Sequence, residues 1–414
     1  MNLLLPILAA LAMSVGWGFR GDYGHEAGAM VPGALAALAI CLAARRPDWW
    51  ERGSLLALIG AIGWAFGGQM SYGMIIGYTS HSSFRDVMYG YACLFVIGAL
   101  WGGIGAGILA MGVTRSRSEL ERFAGPLVAL WAVWTAAEWS GLDGRLSSRW
   151  PLYDSDWTAA GWALLVAIVF GLIRPRSRSA CRLIIELAVG WWAGLLILTV
   201  ALKLRMTPPR SDNWAGCVGL WIALFVHLLR TRNRAAVMLS LYGLLAGGIG
   251  FAVGDLLNVL GRVQWGPIGR YEWLHGLGSW KWMEQAFGLM MGLGVAIGFG
   301  RLARGLPPPI EDEPRGPLRY VSLLFLLIAI WWENLHRNVS GWVREGHLYD
   351  WVLGQPPQRW MLIVAALLTA IIVCAIIRHR RDALPIVPTQ AFGRVQLLFL
   401  LILWTAIIAD FTRA

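Results

Sequence analysis

Two glutamates, Glu138 and Glu333, close Trp-rich apolar runs of the same character, LVALWAVWTAAEW and LLIAIWWENLH. A carboxylate placed at the end of such a run can exchange a proton or hold a cation, because ionisable groups at a membrane edge are costly unless paired or used. Each is followed by a Tyr-Asp pair, Tyr153-Asp154 and Tyr349-Asp350. One glutamate and one Tyr-Asp pair are therefore expected to converge twice. The competing expectation is internal ion pairing with Arg145, Arg149, Arg337 or Arg344.

A second cluster, Arg20-Gly-Asp22-Tyr-Gly-His25-Glu26-Ala-Gly28, lies between two apolar runs, and Arg210-Ser-Asp212-Asn-Trp-Ala-Gly216 repeats its Arg-x-Asp element. Arg20 and Arg210 suit an anionic group on a ligand. His25 or Glu26 could act as a base toward a substrate clamped by Arg20. A solvated turn whose Arg and Asp neutralise one another accounts for the same residues. Asp255 and Glu284 form the third feature, acids inside apolar runs, with Lys281 nearby as a partner. None of these groups has metal-ligand spacing, so no metal and no cofactor is expected.

The elements that must carry these residues follow from composition. Of 414 residues 57% are hydrophobic and 14% charged, with 50 Gly and 25 Trp. A soluble domain carries about 25% charged residues. Thirteen apolar stretches recur, near 1–19, 27–44, 53–79, 87–113, 124–141, 157–173, 183–204, 213–229, 235–260, 280–300, 317–335, 359–377 and 395–411. Most are long enough to cross a hydrocarbon layer of about 30 Å. The expected fold is an all-α polytopic integral membrane protein of about 13 transmembrane helices. The first stretch lacks a positive n-region and a small-residue cleavage site, so it is expected to be retained.

The apolar composition excludes a nucleic-acid binder despite the net charge of +11, which is a topology signal and not a partner-binding patch. Alternate connections hold Arg45, Arg46 and Arg52; Arg115, Arg117 and Arg122; Arg174, Arg176, Arg178 and Arg182; Arg230, Arg232 and Arg234; Arg301, Arg304, Arg315 and Arg319; and Arg378, Arg380, Arg381 and Arg394. By the positive-inside rule these face the cytoplasm. The N-terminus is then inside and the C-terminus outside, in a cell inner membrane. His25, His81, His275, His336 and His347, most acids and many aromatics fall on the outer side. The five cysteines show no CxxC pattern and indicate neither a disulfide framework nor thiol chemistry.

Self-comparison reveals an internal duplication. Residues 25–67 resemble 212–254, with Gly63-Trp-Ala-Phe-Gly67 matching Gly250-Phe-Ala-Val-Gly254; 96–108 resemble 286–298; and 137–154 resemble 332–350. The expected organisation is one six-helix repeat over 1–180, a second over 181–390, and a further helix at 391–414. An even number of helices makes the repeats parallel, related by an axis along the membrane normal. Asp255 and Glu284 align with Gly68 and Leu94, so these acids mark where the second half departs from the first. GxxxG spacings at Gly98/Gly102, Gly250/Gly254 and Gly288/Gly292 read as helix packing. Trp49, Trp50, Trp191 and Trp192 read as interfacial belt residues.

The six-plus-six plan resembles the major-facilitator scaffold in outline. The connection AARRPDWWERG lacks the Gly-x-x-x-Asp-Arg pattern of that family, and the odd helix count departs from it. No P-loop, GxSxG, HExxH or Gly-rich dinucleotide motif occurs. The leading expectation is a secondary transporter or solute-binding permease holding a small polar, sugar-like or anionic solute between the repeats. Arg20, Asp22, Glu138, Asp154, Arg210, Asp212, Asp255, Glu284, Glu333 and Asp350 line its site. The alternatives are an outer-leaflet glycosyl or acyl transferase, with His25 and Glu26 catalytic, and an accessory subunit of a membrane complex. Membrane lipid is an expected partner, and a homo-oligomer is compatible with the pattern.

Overall fold

A computed structural model of the chain describes residues 3–20, 26–67, 70, 72–150, 152, 156–206, 213–262, 271, 279–303, 305–306, 318–328, 343, 346, 349, 351–382, 384 and 390–413. The described residues are mostly helical, with one isolated bridge, Val352 to Gln355, and no strand among them. Helices α1 (Leu4–Arg20), α2 (Glu26–Ala43), α3 (Pro47–Glu51), α4 (Gly53–Ala65), α5 (Gly73–Thr79) and α6 (Phe84–Thr114) come first. Next are α7 (Arg117–Trp139), α8 (Leu142–Arg149), α9 (Trp157–Ile173), α10 (Arg178–Gly194, extended by a π-helical turn over Leu195–Ala201), α11 (Trp214–Arg230) and α12 (Arg234–Arg262). The last four are α13 (Ser279–Leu302), α14 (Leu318–Ile328), α15 (Pro357–Arg381) and α16 (Gln390–Arg413).

Five helical stretches, Phe84–Thr114, Pro175–Ala201, Arg234–Arg262, Trp280–Leu302 and Arg359–Arg381, are long and apolar enough to cross a membrane, and six more are apolar but shorter. Large apolar side chains are exposed along them, Leu4, Ile7 and Leu11 on α1 and Leu165, Ile168 and Leu172 on α9 among others. Charged groups such as Arg20, Asp255 and Glu284 are buried instead. A soluble protein rarely exposes so continuous an apolar surface. Lipid is the solvent this surface fits.

Six helices close into a ring in the order α1, α2, α4, α6, α12, α13 and back to α1. In lipid no hydrophobic drive brings helices together, so close backbone approach must do it. Glycine provides that approach at the ring's tightest contact. A Cβ on Gly98 would lie 2.3 Å from the Gly247 carbonyl, and one on Gly102 1.9 Å from that of Gly243. Closure between α13 and α1 uses the same device, Gly288 against the Met13 carbonyl. Outside the ring, α10 and α11 pair and α11 leans on α6, while α16 packs along α2, α3 and α4.

The arginine-rich ends gather at one end of the ring. Arg46 donates to the carbonyls of Ala303 at 2.8 Å and Leu306 at 2.6 Å, and is held by Asp48. Arg52 donates to the Arg115 carbonyl at 2.8 Å, and Asn233 to Thr114 at 2.8 Å. Arg115, His227 and Glu186 continue in series, with Arg230 also on Glu186. The Ser116/Glu119 capping box starts α7 here. At the opposite end lie the last turn of α1, the break after α4, the start of α6, the end of α12 and the start of α13.

The stretch 53–79 is not one helix. It stops at Phe66, resumes at Gly73, and leaves Tyr72 between α4 and α5. Gly67 occupies the break because the Trp101 indole lies where any Cβ would go, 2.1 Å away.

Candidate functional site

Arg20, Tyr72 and Glu284 meet inside the ring. The Arg20 Nη1 donates to the Tyr72 hydroxyl at 2.9 Å and lies 3.6 Å from Glu284 Oε1. The Tyr72 hydroxyl in turn donates to Glu284 Oε1. The side chains of Arg20 and Glu284 are 2% and 3% exposed. Each residue arrives from a different part of the ring: the end of α1, the break between α4 and α5, and the second turn of α13.

Aromatic rings enclose the three. The guanidinium carbon of Arg20 lies 5.2, 5.6 and 4.8 Å from the ring centres of Trp17, Tyr72 and Trp101. Phe287 packs on Trp17 and Trp101, Phe251 on Tyr72 and Phe287, and Trp280 stacks on Tyr72. A planar, weakly hydrated guanidinium stacks well on such faces. The indole N–H groups of Trp17 and Trp101, both buried, have no hydrogen-bond acceptor. The box therefore has spare donors beside its cation. That arrangement can receive oxygens of an anionic or polyhydroxylated group.

The distance of this unit from the arginine-rich end follows from helix rise. Trp101 is fourteen residues from Arg115, about 21 Å along α6 at 1.5 Å per residue, and Glu284 is seventeen from Arg301, about 26 Å along α13. Both lengths are shorter than a hydrocarbon layer of about 30 Å.

Asp255 and Asn258 lie one turn apart on α12, both fully buried, with the Asn258 Nδ2 donating to Asp255 Oδ1 at 3.2 Å. Phe251, one turn before Asp255, touches the Tyr72 ring with centres 5.0 Å apart. A separate polar contact joins the starts of α9 and α11: Asn213 accepts from the Trp191 indole at 2.9 Å and donates to Asp156.

Of the residues expected to line one site, Arg20 and Glu284 are together, and Asp255 is on α12 one turn after Phe251, which touches Tyr72. Arg20 does not sit in a solvated turn; it is buried, and its acid partner comes from α13. Glu138 is exposed at the end of α7, apart from this unit. Asp22, His25, Asp154, Arg210, Asp212, Glu333 and Asp350 lie outside the described residues, as does the side chain of Glu26. The residue that sequence reasoning missed is Tyr72. Its signal was the Gly67-Gly68 pair inside an over-long apolar stretch, which marks a helix break. Among the described residues no group of three His, Cys, Asp or Glu gathers as for a metal.

No protein-family model matches this chain, and neither the curated proteins nor the solved structures contain a match.

Proposed function

We propose that the chain is a permease of a bacterial-type inner membrane that holds a small anionic or polyhydroxylated solute within its helix ring. The observation that carries this reading is the Arg20–Tyr72–Glu284 unit, a compensated ion pair in an aromatic box. Ionisable residues inside a membrane bundle mark substrate or ion pathways by default. A carboxylate or phosphate on the solute would replace Glu284 on Arg20. The released Glu284 would take up a proton, so the site stays neutral while loaded. Solute and proton then move together.

The wider arrangement belongs to the same proposal: thirteen crossings, parallel repeats over 1–180 and 181–390 with a last helix at 391–414, the arginine-rich end in the cytoplasm, and Glu138, Glu333 and Asp255 as further coupling acids. Asp154, Arg210, Asp212 and Asp350 complete the outer approach.

Native mass spectrometry of the detergent-purified protein tests the reading, comparing wild type with Arg20→Gln and Glu284→Gln. A bound small anion lost in Arg20→Gln and kept in Glu284→Gln is the expected result. A retained lipid-linked sugar or acyl donor would favour the outer-leaflet transferase built on His25 and Glu26. No bound molecule in any form, with none recovered on adding a panel of small carboxylates, phosphates and sugars, would leave the accessory subunit.

A further inference from the structure

Asp255 Oδ2 and Asn258 Oδ1 are buried oxygens without a hydrogen-bond partner. The bond between Asn258 Nδ2 and Asp255 Oδ1 keeps the two side chains adjacent and leaves those acceptors over. Thr79, the last residue of α5 and 2% exposed, sits beside the Asp255 carboxyl. A hydroxyl has one hydrogen and two lone pairs. The Thr79 hydroxyl donates to the Ile76 carbonyl at 2.8 Å and is also within hydrogen-bond reach of the Asp255 carboxyl, so its single hydrogen is shared between them and its lone pairs remain on offer. Three oxygens from two elements gather in a dry interior.

Among the described residues, the other charged and titratable groups in range are Tyr91 on α6 and Arg262, two turns along α12. Neither hydrogen-bonds to the carboxylate. An uncompensated buried acceptor is costly, and a buried carboxylate more so. Among the described residues no cation hydrogen-bonds to this carboxylate.

We propose that Asp255, Asn258 and Thr79 bind a monovalent alkali cation, with sodium as the probe. The donor set is all hard oxygen, which suits alkali and alkaline-earth ions over transition metals. A single carboxylate balances a single positive charge, whereas a divalent ion would leave net charge in the interior. A proton on Asp255 Oδ2 would satisfy one further acceptor. A cation is shared by all three oxygens. Phe251, one turn away, touches Tyr72, so in a permease this ion would be a second coupling ion, in addition to the proton on Glu284. The site itself does not require the permease reading.

The test is the thermal stability of the purified full-length chain at fixed pH and ionic strength, with sodium chloride titrated against N-methylglucamine chloride. The wild type is expected to gain several degrees with a saturating dependence on sodium. Asp255→Asn supplies N–H donors to the same acceptors, so it should be as stable as the sodium-bound wild type and insensitive to sodium. Thr79→Val should fold and bind sodium more weakly, raising the half-saturating concentration at least tenfold. Stabilisation by lowering pH with no response to sodium, potassium or lithium would assign the site to a proton and overturn the proposal. So would an equal sodium response in wild type and Asp255→Asn. Sodium binding without any solute bound at Arg20 would defeat the permease and leave the cation site intact.

Discussion

The Arg20 guanidinium and the Glu284 carboxylate stand 3.6 Å apart with almost no exposed surface, one ending α1 and the other near the start of α13. Removing one partner of a buried pair leaves a bare charge, which costs about 3–5 kcal/mol, whereas replacing both by apolar groups is often near neutral. Glu284→Leu should therefore destabilise strongly, and the double variant Arg20→Met/Glu284→Leu should recover most of the loss. Denaturant unfolding in detergent, run as a double-mutant cycle, checks this. Additive losses would mean the two residues do not stabilise the ring as a unit.

Tyr72 bridges the pair through its hydroxyl and packs through its ring. Tyr72→Phe keeps the ring and leaves buried charged partners short of one hydrogen bond, a cost of about 1–3 kcal/mol. Trp fluorescence should change little, because Trp101 and Trp280 keep their neighbour. A collapse of tertiary structure in this variant would show that the hydroxyl does more than bridge.

Glycines on α6 and α5 should behave oppositely. Gly102→Ala puts a Cβ into the Gly243 carbonyl and must push α12 away, so a loss above about 2 kcal/mol is expected, in the range of overpacked cores. Gly77 on α5 has nothing within 4 Å of its Cβ position, so Gly77→Ala should be neutral or stabilising by up to about 1 kcal/mol. Equal effects would remove the packing argument for the α6–α12 seam.

Orientation is tested by single cysteines on a Cys374→Ala background, since the other native cysteines are buried. His81→Cys, in the exposed turn before α6, should react with an impermeant maleimide in intact cells. Arg232→Cys, in the turn between α11 and α12, should react only after permeabilisation. The reverse pattern would invert the topology.

The all-helical class was legible because apolar length is written locally, residue by residue. The pairing of Arg20 with Glu284 was not. Sequence spacing pointed each toward a near neighbour, Arg20 to Asp22 and Glu284 to Lys281, whereas the contact between Arg20 and Glu284 arises from ring closure. Tyr72 was hidden for another reason: hydropathy runs through the break between α4 and α5 as though one helix continued. GxxxG spacing told that α6 and α12 pack closely somewhere, but the choice of Gly243 and Gly247 as partners is a property of three-dimensional fit. Asp255 stood out as an acid in an apolar helix.

The ring closes between its first helix and its last, and that has a consequence for biogenesis. Arg20 is synthesised 264 positions before Glu284, which at about 5–20 residues per second is roughly 13–50 s of translation. Through that interval Arg20 is in the membrane without its contact to Glu284. Arg20 ends its helix, so its long side chain can reach up to the headgroups while it waits. Arrival of α13 then draws the guanidinium inward, and the seam between α13 and α1 is the last part of the ring to be assembled.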